Sequence, residues 1–265
     1  MKWWRILQQR EVSKPDGSAP AAPVASPVAI ISDVHANLPA LEAVMKDIEA
    51  QGIHQRICLG DIVGYGGNPA ECVKLVQASG FECIRGNHDS YASEDAVLPR
   101  RAEDFAGACQ WMRLQLGPET CRWLTTLPFT LSKETYEATH TSLYHPPEWR
   151  YVLMDTDAVQ HFEYQVKPLC FAGHTHQPKL WTEGEDRPVP GFATEKLRPN
   201  LKQLVNVGSV GQPRDGDPRA CYVVYRPDTQ EITWRRVDYD IDRAQKAILY
   251  ARLPAKYAGR LEFGK

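Results

Sequence analysis

Three times in the first third of the chain a short apolar run is followed by a turn of glycine and polar residues: at 28–31, 56–59 and 81–84. Runs of this length bounded by turn residues predict buried strands. Between the first two, Leu41, Val44, Met45 and Ile48 recur at helical spacing, and Gly52 is placed to end the helix. Between the second and third, Asn68 before Pro69 predicts an N-cap and first helical position, with Val73 and Val76 packing and a stop at Gly80. Strand–helix–strand units favour parallel strands with right-handed crossovers, which bring all three post-strand turns to one edge of the sheet. The pattern then changes. Residues 99–127 predict helix, with Phe105, Trp111, Leu116 and Leu124 among its packing residues. Strand candidates follow at 129–131, 136–140, 169–172, 179–182, 204–207, 220–225 and 231–236, and 241–253 predicts a closing helix. Their spacing predicts a second, more antiparallel sheet.

Composition sets the boundaries. A chain of 265 residues, 43% hydrophobic, can bury one sizeable core. Residues 1–27, rich in Pro, Ala and Ser from position 11, predict a flexible leader, which leaves 28–265 as a single domain. The formal net charge of -2 arises from mixed signs along the chain, so general binding to nucleic acid or a membrane surface gains no support. The seven cysteines are an odd number, widely spaced, without a Cys-x-x-Cys pair, and predict reduced packing residues. No apolar run is long enough for a secretory signal or a membrane span, so a cytoplasmic location is expected.

The chemistry sits at the strand ends. Ser32-Asp33-Val34-His35, Gly60-Asp61 and Gly86-Asn87-His88-Asp89 follow the three early strands, and Gly173-His174-Thr175-His176 follows a later one. In an extended exit, Asp33 and His35 point to the same side and can grip one ion with oxygen and nitrogen. Gly60 and Gly86 permit tight turns close to a bound ligand. Each motif has a plainer reading: Asp-x-His as a hydrogen-bonded pair, Gly-Asn-His-Asp as an ordinary turn, Asp89 as a helix cap, Arg214 as a solvated loop cation. All of them in this order are harder to explain as packing.

That order, with His140 standing between the third and last motifs, resembles the calcineurin-like metallophosphoesterase superfamily from residue 28 to about 239. Gly60-Asp61-Ile62-Val63-Gly64-Tyr65-Gly66, His140-Thr141-Ser142 and the segment 206–214 look like its compact prokaryotic phosphodiesterase-like branch. Thr141 departs from the small residue the family commonly has there, and the leader lies outside the family pattern. The resemblance implies an α/β fold, a two-sheet αββα sandwich with a dinuclear metal site at the C-terminal edges of the strands. It implies that Asp33, His35 and His176 bind one ion, that Asn87, His140 and His174 bind the other, and that Asp61 bridges them. One carboxylate can serve two ions roughly 3.5–4 Å apart, and a hydroxide held between them would attack phosphorus in line. His88 would protonate the leaving oxygen, Asp89 would orient the His88 ring, Arg214 would contact a phosphate oxygen, and His145, with Trp149 and Tyr151, would line the substrate cleft.

Two divalent metal ions are therefore expected, manganese first, with iron, nickel or zinc also suited to a thiolate-free ligand set. The favoured activity is that of a phosphodiesterase on a small nucleotide-like substrate. Hydrolysis of protein phosphoserine or phosphothreonine is the alternative, so the partner is a small phosphate ester or a phosphoprotein. A non-catalytic metal-binding scaffold is a further reading, against which every expected ligand and His88 are present. A nuclease is disfavoured by the lack of a basic stripe.

Overall fold

The computed structural model describes residues 26–93, 103–185 and 188–265. The expected leader, up to residue 25, and positions 99–102 of the expected long helix lie outside them. The chain opens as β1 (Val28–Ile31), α1 (Leu38–Ala50), β2 (Gln55–Cys58), α2 (Pro69–Ala78) and β3 (Glu82–Cys83). β1 pairs in parallel with β2, and β2 with β3, so the three early turns share one edge, as predicted. Asn37 caps α1 by accepting from the Ala40 amide at 3.2 Å. Asn68 occupies the predicted N-cap of α2, but its side chain makes no capping hydrogen bond.

There follow α3 (Asn87–Ser93), α4 (Glu103–Thr126), β4 (Thr130–Ser132), β5 (Tyr136–Thr139), a 3₁₀ turn (Pro146–Glu148), α5 (Asp155–Tyr164), β6 (Leu169–Ala172) and β7 (Lys179–Thr182). α4 is bent where Gly117 adopts φ 70° ahead of Pro118. β8 (Val189–Pro190), β9 (Thr194–Lys196), β10 (Gln203–Asn206), β11 (Ala220–Arg226), β12 (Glu231–Val237), α6 (Ile241–Tyr250) and α7 (Ala255–Leu261) complete the fold.

The strands form two six-stranded sheets, ordered β3-β2-β1-β11-β12-β9 and β4-β5-β6-β10-β7-β8. This corrects the assignment of every late strand to the second sheet: β11 and β12 extend the first, with β11 antiparallel to β1. The reason lies in β11 itself, whose first six residues are all buried. A strand apolar on both faces needs cover on both, and the slot beside β1 supplies it. Tyr222 and Val224 face a core shared with Leu41, Val44 and Ile48 of α1, while Cys221, Val223 and Tyr225 face Phe171 and Val205 of the other sheet. That alternation is the two-residue period of a strand.

The second sheet is parallel at its centre, β5-β6-β10, and antiparallel only towards its rims. Phe162 of α5 packs with Cys170, Trp181 and Leu204 on its outer face, completing the αββα layering. All seven cysteines are buried and unpaired. Among the described residues no helix is long and apolar enough to cross a membrane.

Candidate metal centre

The exits of β1, β2, β5 and β6 and the start of α3 converge on one point. The exit of β1 is not extended as expected: Asp33, His35 and Ala36 have φ of 54°, 49° and 51°. Left-handed backbone is uncommon in non-glycine residues, and here it is enforced across the strands. The amides of Asp33, His35 and Ala36 donate to the carbonyls of Gly60, Asp61 and Ile62, so the β1 exit is laced to the β2 exit. Asp61, His174 and His176 are left-handed as well, with φ of 51°, 67° and 59°. Gly86 lies against Asp61, and a Cβ there would collide with the Asp61 carboxylate.

Four imidazoles are oriented by backbone carbonyls. His35 Nδ1 faces Val63 O at 3.2 Å, His140 Nδ1 faces Leu59 O at 2.8 Å and His176 Nδ1 faces Gln212 O at 2.5 Å. His174 is turned the other way, its Nε2 facing Trp149 O at 3.1 Å. A carbonyl only accepts, so the nitrogen beside it carries a proton and, whenever the ring is neutral, the opposite nitrogen presents a lone pair. Those lone pairs converge. His35 Nε2 and His176 Nε2 stand 3.0 Å apart, and Asp33 Oδ1, buried without a hydrogen-bond partner, lies 3.1 Å from His176 Nε2. On the other side of Asp61, His140 Nε2 lies 3.3 Å from Asp61 Oδ2 and 3.2 Å from Asn87 Oδ1. Acceptors facing acceptors in a buried space repel unless a cation lies among them. The donor set thus fits divalent ions, in groups formed by Asp33, His35 and His176, by Asp61, His140 and His174, and by His35, Asp61 and His88.

Electrostatics of the protein alone divide the imidazoles. Burial pushes His174 down to about 3 and His176 down to about 4, so both are neutral, the form that binds a metal. Burial also acts to lower His140, but the Asp61 carboxylate outweighs it and raises it to about 9. Asp33 and Asp61 are held below the carboxylate range: burial opposes this, and His176 beside Asp33 and His140 beside Asp61 overcome it.

His88 is buried beside this centre, its ring 4.9 Å from that of His35, and burial lowers it to about 3. The expected hydrogen bond from its ring to Asp89 is not made. Asp89 Oδ2 accepts from the amides of Asp61 and Gly86, and Oδ1 from those of Ile62 and Val63. Asp89 therefore ties α3 to the β2 exit, and burial with the nearby Asp61 charge raises it to about 7.

Arg214, half-buried, donates from Nη2 to Gln212 Oε1 at 2.9 Å and to the Tyr65 hydroxyl at 3.5 Å. His145 is exposed and packs on Tyr144 and Tyr164. Its neighbours are closer in: Trp149 supplies the carbonyl that orients His174, and Tyr151, 39% exposed, stacks on His174 at 3.9 Å. Sequence reasoning assigned no role to Tyr65, whose ring lies 4.7 Å from His35 and 4.5 Å from His88. An aromatic residue flanked by glycines just after Gly-Asp was the available signal.

Residues 27–230 match the family model described as the calcineurin-like phosphoesterase superfamily domain. A metallophosphoesterase from Sphaerobacter thermophilus superposes with a TM-score of 0.82 at 38% identity, over 91% of this chain and 100% of that one. An uncharacterised protein of Methanocaldococcus jannaschii is 37% identical over 252 residues, 91% of this chain and all of its own length. A hypothetical protein of Pyrococcus horikoshii, 18% identical over 91% of this chain and 99% of its own, shares the fold at a TM-score of 0.74.

Proposed function

The chain belongs to the calcineurin-like phosphoesterase superfamily and is a metal-dependent phosphoester hydrolase; from that premise we propose that it cleaves small, nucleotide-like phosphodiesters. The observation that carries the reading is the convergence of imidazole nitrogens and carboxylate oxygens around Asp61. In this proposal Asp33, His35 and His176 hold one ion, Asn87, His140 and His174 the other, and Asp61 is shared. Bound there, divalent ions would supply Lewis acidity and lower the pKa of water from about 15.7 towards 7.

The protein's own groups do the rest. Backbone carbonyls hold the imidazoles in the metal-binding tautomer, the role usual for outer partners of ligating histidines. Asp89 fixes the turn that aims Asp61. His88, neutral and buried, can donate a hydrogen bond from its ring N–H to the departing oxygen. The charge beside the centre favours a diester over a phosphoprotein. Arg85 donates from Nε to Leu127 O and lies over the Phe129 ring, and Arg150 is engaged by Glu148. Arg214, held by Gln212 and the Tyr65 hydroxyl beside the centre, brings a single positive charge that suits the single charge of a diester. Manganese is the first metal to test, and a cytoplasmic setting is part of the same proposal.

The test is hydrolysis of bis(p-nitrophenyl) phosphate beside p-nitrophenyl phosphate by protein stripped and reloaded with manganese, with Asp61→Ala as control. Metal-dependent diester turnover that the variant loses is the expected result. Turnover of the monoester alone would move the assignment to the phosphatase.

A further inference from the structure

The loop that carries Tyr65 is shaped around that residue. Gly64 has φ 113°, and a Cβ on it would strike the rings of His35 and His88; a Cβ on Gly66 would strike the carbonyls of His35 and Ala36. Tyr65 itself is left-handed at φ 53°. Pressed this closely to the centre, its ring covers His35 and His88, and Tyr257 of α7 backs it at 5.0 Å and 73°. The hydroxyl accepts from Arg214 Nη2, and its own proton has no acceptor among the described residues. Gln212 holds the same Nη2 through Oε1, while Arg214 Nε is buried without a hydrogen-bond partner. Two donors of different kinds, one cationic and one neutral, are thus fixed beside the centre with hydrogens unspent.

We propose that the Tyr65 hydroxyl and the Arg214 guanidinium form a two-point clamp on a non-bridging phosphoryl oxygen, which makes Tyr65 a substrate-binding residue. The inference rests on the phosphodiesterase reading for the identity of the anion. A second arginine at position 65 would over-match a diester's single charge, whereas a phenol adds a hydrogen bond without adding charge. The carbonyl-facing rings and the Asp61 carboxylate orient the reacting group from one side, and the clamp would orient it from the other.

The experiment uses the full chain loaded with manganese, comparing wild type with Tyr65→Phe, Arg214→Gln and the double variant. Binding of inorganic phosphate, kcat/KM on bis(p-nitrophenyl) phosphate and metal content are read for each. Tyr65→Phe keeps every ring contact and removes one oxygen. Each single change is expected to weaken phosphate binding and lower kcat/KM by about tenfold at unchanged metal content, and the double variant by less than the product of the two. Wild-type phosphate affinity and kcat/KM in Tyr65→Phe, fully independent effects, or loss of metal from that variant would each overturn the clamp. Were no ester cleaved by the wild type, the phosphodiesterase reading would fall, and the phosphate affinities would still decide the clamp.

Discussion

Asp33, His35, Asp61, His174 and His176 all place their side chains from left-handed backbone, a conformation that costs on the order of 1–3 kcal/mol per residue and persists only where its surroundings over-determine it. For Asp33, His35 and Asp61 the lacing of the β1 exit to the β2 exit and the four amides on Asp89 supply that determination; the His174 amide donates to Asp33 Oδ2, and the His176 carbonyl accepts from the Arg214 amide. His88 is different: its backbone is helical and its ring is held by packing against His35, Tyr65 and Phe105. A His88→Asn change should therefore keep the metal content and lower kcat by about 10²–10⁴-fold. Steady-state kinetics beside metal analysis would show this, and an unchanged kcat would remove His88 from the chemistry. The candidate ligands were legible in the sequence because few residue types bind hard or borderline metals, and their spacing survives as a motif. The placements of Asp89 and His145 were not. Which amides meet a carboxylate, and which way a loop histidine turns, depend on strands far apart in sequence.

Among the elements, α1 is tied to the first sheet by a polar knot as well as by its apolar face. Asp47 accepts from Arg235 Nη2 at 2.8 Å on β12 and from the Tyr222 hydroxyl at 2.6 Å on β11, and Gln51 donates to that same hydroxyl. Burial opposes ionisation of Asp47, but the hydrogen bonds from Arg235 and Tyr222 outweigh it and lower its pKa. With a folded pKa below the unfolded one, the knot contributes fully above about pH 4 and is lost as pH falls through the folded value. Asp47→Asn should cost about 1 kcal/mol in urea unfolding at pH 7, with the gap to wild type narrowing below pH 4. A gap independent of pH would place the cost in packing instead. Such ties explain why β1, α1, β2 and α2 could be read in advance whereas the sheet membership of β11 and β12 could not. The former follow from local periodicity, the latter from what covers a strand's two faces. α3 and α5 escaped for a related reason: their buried positions include Asn87, His88, Asp89 and His161, which an apolar pattern does not register.

At the scale of the molecule, the candidate centre is a seam, with side chains from the exits of β1 and β2 in one sheet and of β5 and β6 in the other. Ions bound there would join the sheets, so removal by a chelator should lower the Tm and reloading should restore it. At a free metal concentration about 100 times Kd the stabilisation is about 2.7 kcal/mol. Differential scanning calorimetry of stripped and reloaded protein would show it, and identical transitions would mean that the centre takes no ion. The antiparallel pairing of β1 with β11 reaches further, into biosynthesis. Val28 pairs with Tyr225, so on the ribosome the inner edge of β1 waits for a partner that emerges 197 residues later, on the order of 10–40 s at ordinary elongation rates. For that interval the nascent chain presents an apolar strand with an open edge, the surface that chaperones bind and that neighbouring nascent chains on a polysome can capture.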